Sequence, residues 1–197
     1  MTNKKDLIRG TNCASYGYLF IYIDLIHIDL NIDNVSILPS FVGYLLFLYS
    51  IKLLKDEERE LTLLRTPCVI LTVFHVIKWL VSWFGINLDG LWQISDVIIC
   101  LVNLYFHFQF ITNFASIAKR YQKEDESIDR SLLGCRAMQT VLLTVVLTLS
   151  FLAKLLSDDV YSDISVILMA VYIAAGFFIM SALFLLKRSF NSASEAQ

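Results

Sequence analysis

Proline is almost missing from this chain. Pro39 and Pro67 are the only two among 197 residues, and glycine is sparse at seven. That balance excludes collagen-like, proline-rich and other low-complexity chains. Charge is scarce as well: 17% of residues are charged, where a soluble domain usually carries about 25%. The formal net charge is −2, so there is no basic footprint for nucleic acid and no nucleic-acid partner is expected. Catalytic signatures are absent too. The chain has no HExxH, no GxSxG and no glycine-rich phosphate loop. His75 and Lys78 form an HxxK pair, which matches no catalytic constellation, so no enzyme is expected. Cys13, Cys68 and Cys135 fall near predicted helix ends and Cys100 lies within a helix. Their spacing suits neither a disulfide framework nor a zinc site, and no metal or cofactor is expected. No short apolar stretch with a small-residue cleavage site stands alone at the N-terminus, so no secretory leader is expected.

What the chain has in excess is apolar surface. Hydrophobic residues make up 57% and the mean hydropathy is +0.64. Burial in lipid is the common cause of such an excess, and the expected constant partner is the lipid bilayer. A transmembrane helix needs about 20 mostly apolar residues. Six segments qualify: 13–30, 37–54, 67–84, 93–117, 137–156 and 164–186. The predicted fold is an all-α polytopic transmembrane bundle of six helices. It would occupy residues 11–188 between cytoplasmic tails at 1–10 and 189–197, with 1–9 and 190–197 mobile.

Lysine and arginine give the orientation. Lys4, Lys5 and Arg9 precede the first segment; Lys52, Lys55, Arg59 and Arg65 lie between the second and third. Lys119, Arg120, Lys123, Arg130 and Arg136 lie between the fourth and fifth, and Lys187 and Arg188 follow the sixth. The other three connections, NIDNVS, GINLDGL and SDDVYSD, contain none. Cytoplasmic loops retain positive charge, so both termini are placed inside and the span count is even. Only Lys78 and Lys154 fall within spans. KLLKDEERELTLLR and AKRYQKEDESIDRSLL mix both signs and read as solvated helix extensions or turns. ILPSFVGYLLFLY, ISDVIICLVNLYF and ISVILMAVYIAAG each open an even-numbered helix after a short acidic loop. Three repeated helical hairpins would explain this, and so would Ile/Val/Leu bias alone.

Ionisable groups inside spans are expensive and each needs a reason. On the fourth helix Gln93, Asp96, Cys100, Asn103 and His107 are spaced 3, 4, 3, 4, which sets them on one stripe. The third helix has Thr72, His75, Lys78 and Ser82; the first has Gly17, Asp24, His27 and Asn31 on one face. Lys78 extends on a flexible stem, and the expectation is a buried cluster of Asp24, Lys78 and Asp96 in the outer half, with His27 and His75 nearby. The candidate substrate- or ion-binding residues are therefore Asp24, His27, His75, Lys78, Asp96, Asn103 and His107. His107 also reads as an interhelical histidine with its hydrogen bonds met. Thr140, Thr144 and Thr148 on the fifth helix read as helix packing, and Lys154 as a side chain reaching the outer boundary. Trp83 and Trp92 suit an interfacial belt on the outside and Tyr121 one on the inside, whereas Trp79 is deep enough to pack.

IYIDLIHIDLNIDN, residues 21–34, contains the start of a calcium-loop spacing in Asp29, Asn31 and Asp33. It lacks the glycine and the glutamate that such a loop requires, with Asn34 and Ser40 in those places. Asp24 and His27 are assigned to the span and the later polar residues to its exit. Pro39 suits the first turn of the second helix, with Ser36 or Asn34 as cap. Gly43 permits close approach of another helix.

YGYLFIYIDLIHID followed by ILPSFVGYLLF resembles the first hairpin of a largely uncharacterised family of small six-span integral membrane proteins of Gram-positive bacteria. That family shows an aspartate in its first helix and then Leu-Pro-Asp-x-x-Gly-Tyr. Leu38, Pro39, Gly43 and Tyr44 match, Asp24 corresponds to the first-helix aspartate, and Ser40 replaces the motif's aspartate. The resemblance covers about a quarter of the chain. It implies a six-span protein of the bacterial cytoplasmic membrane and supplies no activity. Two function classes stay open: transport of a small solute, ion or proton, slightly favoured by the charged cluster, and a non-transporting sensor, regulator or assembly partner. A chain this small would need a homo-oligomer or a membrane-protein partner to transport.

Overall fold

The computed structural model describes residues 4–25, 39–84, 89–123, 126–152 and 158–192. These residues contain six α-helices: α1 (Lys4–Leu25), α2 (Ser40–Leu54), α3 (Arg65–Trp83), α4 (Asp89–Tyr121), α5 (Ile128–Leu152) and α6 (Asp158–Ser192). A short 3-10 helix, Arg59–Leu64, precedes α3, and no strand occurs among the described residues. Four stretches are long and apolar enough to cross a membrane: Arg59–Trp83, Ser95–Tyr121, Ile128–Leu149 and Asp163–Phe190. Their composition is compatible with an integral membrane protein. The described part of α2 is shorter, at 15 residues.

Helix boundaries depart from the sequence expectation at the charged ends. α1 begins at Lys4, so residues 4–9 are helical and not a loose tail; Leu7 in that turn is buried in the core. α5 begins at Ile128 and α6 runs to Ser192, because a helix continues past its apolar stretch wherever its inner face still finds apolar neighbours. Ile128 and Phe190 are both buried. α2 starts at Ser40 with Pro39 at the N-cap, φ −69° and ψ 136°, making no side-chain cap bond. Pro39 therefore stands just outside the first turn, its ring holding φ where a helix can begin. Ser36, Asn34 and the calcium-like spacing at 29–33 lie outside the described residues.

Every helix packs against its sequence neighbours, and α6 closes back on α1. Consecutive helices run antiparallel. Gly10 meets Leu54 and Gly17 meets Phe47 across α1 and α2. Phe41 meets Trp79 across α2 and α3, Thr112 meets Arg136 across α4 and α5, and Tyr16 meets Phe184 across α1 and α6. α2 runs parallel to α4, since Tyr44 meets Asn103 at one level and Glu57 meets Tyr121 further along. This alternation gathers Lys52, Lys55, Lys119, Arg120, Arg130 and Arg188 at one end of the bundle. There Tyr121 donates to Glu57 at 2.8 Å, Arg120 pairs with Glu58, and Gln122 and Asp129 bond reciprocally across the α4–α5 turn. Leu61 and Leu64 of the 3-10 helix are fully buried. That connection is thus seated on the core and not simply solvated.

The centre is aromatic. Phe106, Phe110 and Phe114 recur every fourth residue on α4, with ring centroids 5.2 and 4.9 Å apart. Phe47 of α2 fits between them, 5.5 Å from Phe106 and 4.8 Å from Phe110. Outside, large apolar side chains face away from the protein, including Val73, Ile77, Leu101, Val166, Ile167 and Phe178. Soluble monomers rarely expose so continuous an apolar surface.

Glycine sets the closest approach. A Cβ on Gly43 would stand 2.6 Å from the Gly17 carbonyl and 2.8 Å from Ile21 Cγ1, both on α1. The backbone cannot give way as a side-chain tip can. Gly43→Leu is expected to destabilise the protein by about 1–3 kcal/mol or to block folding, through overpacking. Gly134 on α5 has nothing within 4 Å, so Gly134→Ala is expected to be neutral or to stabilise by about 0.5–1 kcal/mol from helix propensity. Unfolding midpoints in detergent compare the two.

Candidate functional site

α2, α3 and α4 face one another with polar side chains in successive layers. The outermost layer is an ion pair: Lys78 Nζ lies 3.2 Å from Asp96 Oδ1, and the two side chains are 53% and 47% exposed. The pair lies at the edge where α3 and α4 meet, the loosest contact between consecutive helices. It is therefore not enclosed as the sequence suggested. The cause is helical geometry. Lys78 follows His75 by three residues, about 60° around the helix, so when His75 turns toward α2 the lysine is carried to the flank. Lys78 Nζ also stands 6.0 Å from the Phe74 ring centroid.

In the second layer Ser40 Oγ is hydrogen-bonded to His75 Nδ1 at 2.8 Å. The His75 ring stacks on Tyr44 with centroids 4.9 Å apart. The Ser40 hydroxyl makes this contact without adding a charge. In the third layer the Tyr44 hydroxyl donates to Asn103 Oδ1 at 2.9 Å. Behind it the Cys68 thiol donates to the Tyr44 carbonyl at 3.4 Å, and Thr72 donates to the Cys68 carbonyl at 2.7 Å. In the fourth layer His107 Nδ1 lies 3.1 Å from the Tyr18 hydroxyl of α1. His107 is 1% exposed, so the column runs from a half-open edge to a closed interior. Eleven residues of α4 separate Asp96 from His107, a descent of about 16 Å.

Of the seven candidate residues, five are placed by the structure: His75, Lys78, Asp96, Asn103 and His107 stand in successive layers of this column. His27 and the side chain of Asp24 lie outside the described residues, as do those of Gln93, Trp92 and Lys154. His107 is only half satisfied, because Nε2 has no hydrogen-bond partner among the described residues. Trp83 is exposed at the end of α3, and Trp79 packs between Phe41 and Trp83. Of the α5 threonines expected to pack, Thr140 is half-buried and the other two are not. Thr144 and Thr148 are exposed and donate to the carbonyls of Thr140 and Thr144 on their own helix, each at 2.8 Å. A hydroxyl on an apolar surface can meet its need on its own helix backbone.

Sequence reasoning missed the inner face of α1. Thr11, Ser15, Tyr18 and Tyr22 are all buried and spaced 4, 3, 4, the same pattern as on α4. Tyrosine is easily counted as apolar bulk, which hides the stripe. Its periodicity was available as a signal once Tyr hydroxyls are counted as polar.

Tyr44→Phe removes the donor to Asn103 and leaves a part-buried amide oxygen short of a partner. The expected loss is about 1–3 kcal/mol. Ser40→Ala, nearer the edge, is expected to cost less, about 0.5–1.5 kcal/mol. Thermal or denaturant midpoints of the two variants test the order.

No family model matches the chain, and neither a curated protein nor a solved structure does, so the side chains of the column carry the functional reading themselves.

Proposed function

We propose that the protein is a multi-pass protein of a cell membrane, with six spans, both termini inside and three helical hairpins, and that its polar column handles a small solute, an ion or a proton. Kinship with the small six-span proteins of Gram-positive bacteria would place it in the bacterial cytoplasmic membrane. The observation that carries the reading is the descent from Lys78–Asp96 through Ser40–His75 and Tyr44–Asn103 to His107–Tyr18. Polar groups inside lipid are costly, and four linked layers exceed what holding four helices together requires. An aromatic layer of Phe47, Phe106 and Phe110 closes the column beneath. Beyond it the buried Thr11, Ser50 and Asn113 resume the polar lining toward the basic end. In this reading the phenylalanines are the gate and the Lys78–Asp96 pair the entrance.

The second reading is a non-transporting sensor, regulator or assembly partner. It is favoured by the ordered charged end, where Glu57 binds Tyr121 and Glu58 binds Arg120 and Lys52, Lys55, Lys119 and Arg130 are exposed.

Single cysteines at positions 96, 103 and 107, in a background lacking the four native cysteines, separate the two. Labelling by a water-soluble thiol reagent at all three is expected for a hydrated column; labelling at none sinks the transport reading. In liposomes with an entrapped pH dye, the native protein is expected to pass protons or a co-transported solute, and Lys78→Met to lower that flux at least tenfold. Reporter fusions at both termini should report the same, inner side.

A further inference from the structure

A second set of buried polar groups lies on the other side of Tyr18, between α1, α5 and α6. Gln139 of α5 is 2% exposed, and neither its amide oxygen nor its amide nitrogen has a hydrogen-bond partner among the described residues. Tyr22 of α1 is 4% exposed and its hydroxyl is equally unpartnered. Tyr172 of α6 joins them. Its ring centroid is 4.9 Å from that of Tyr22, and its hydroxyl stands next to both Tyr22 and Gln139, at a geometry that leaves their atoms unbonded. Gly176 holds the arrangement, since a Cβ there would run into the Tyr22 ring. Tyr22 stacks on Tyr18 at 6.1 Å, which links this set to the His107 layer.

A primary amide offers two donors and an acceptor, and each phenol one donor and acceptor. Buried groups of this kind are almost always satisfied, and lipid cannot satisfy them. The side chains themselves are uncharged. Arg136, one turn away on α5, donates through Nη1 to Thr112 at 3.0 Å and lies over the Phe108 ring at 4.5 Å, so its charged end is directed to α4, while its buried Nε has no partner among the described residues. The occupant therefore has to be neutral, to donate and accept at once, and to be small enough to lie beside two closely packed rings. Water meets all three conditions and can link several such groups. We propose that Tyr22, Gln139 and Tyr172 hold ordered water in the interior of the bundle, in a site separate from the Lys78–Asp96 column. The inference does not rest on transport.

The test is radiolytic hydroxyl-radical labelling of the full-length protein in lipid nanodiscs, in ¹⁸O water, read by mass spectrometry. Radicals generated from bound water oxidise the side chains beside it even where bulk solvent cannot reach. Tyr22 and Tyr172 are expected to be labelled several-fold above Phe47 and Phe110, which are fully buried in the aromatic layer. Gln139→Leu should bring Tyr172 and Tyr22 down toward the phenylalanine level, with Thr144→Val leaving them unchanged. Tyr22→Phe, which keeps the ring, should lower Tyr172 labelling in the same way and serves if the leucine variant does not fold. Labelling of both tyrosines no higher than the two phenylalanines overturns the site, as does native-level labelling in a folded Gln139→Leu or Tyr22→Phe protein. The cysteine scan at 96, 103 and 107 reads different side chains, so either proposal can fail alone.

Discussion

The close approach of α1 to α2 is the contact on which the interior depends. Gly17 and Gly43 bring the two backbones together so tightly that a methyl group on either would collide. That distance sets Tyr18 against Phe47, with ring centroids 4.9 Å apart, and carries its hydroxyl within reach of His107. Were α1 held one side chain further out, the histidine would lose this partner in the core. Gly43 is followed directly by Tyr44, which stacks on His75 and bonds Asn103. One short stretch of α2 thus fixes α1 on one flank and the α3–α4 polar layers on the other.

The distribution of the rest of the polar inventory is compatible with an apolar solvent around the bundle. The outer surface carries apolar side chains, and its few hydroxyls bond their own helix, as Thr144 and Thr148 do. Inside, polar groups from different helices meet, since burial leaves them only one another as partners. At the basic end Glu57 and Glu58 tie the α2–α3 connection to α4. Lys78 and Asp96 lie away from that end. A charged pair at the flank of two loosely packed helices, about 8–10 Å from their ends, is an arrangement that packing alone does not call for.

Much of the column could be read along the chain. The 3, 4, 3, 4 spacing from Gln93 to His107 and the spacing of His75 and Lys78 each define one face of a helix, and periodicity reports a face without any tertiary information. What periodicity does not report is the partner across the seam. Nothing in the sequence joins Ser40 to His75, 35 residues away, or Tyr18 to His107, 89 residues away. The inner stripe of α1 escaped because two of its four members are tyrosines, whose rings count as apolar while their hydroxyls act as polar groups. Gln139 escaped for a different reason: among the threonines of α5 it reads as one more small polar contact, and only burial reveals that its amide is enclosed.

By itself, the sequence determined the helical class, the apolar exterior, the separation of basic residues to one end and the polar face of each helix, because these follow from composition and a 3.6-residue period. The tertiary structure decided how far each helix extends beyond its apolar stretch, that Lys78 and Asp96 lie at an open edge, and that His107 is closed inside. It also decided which buried hydroxyls and amides find partners. Those outcomes depend on the distance and rotation between helices, and here two glycines on different helices set the closest of those distances.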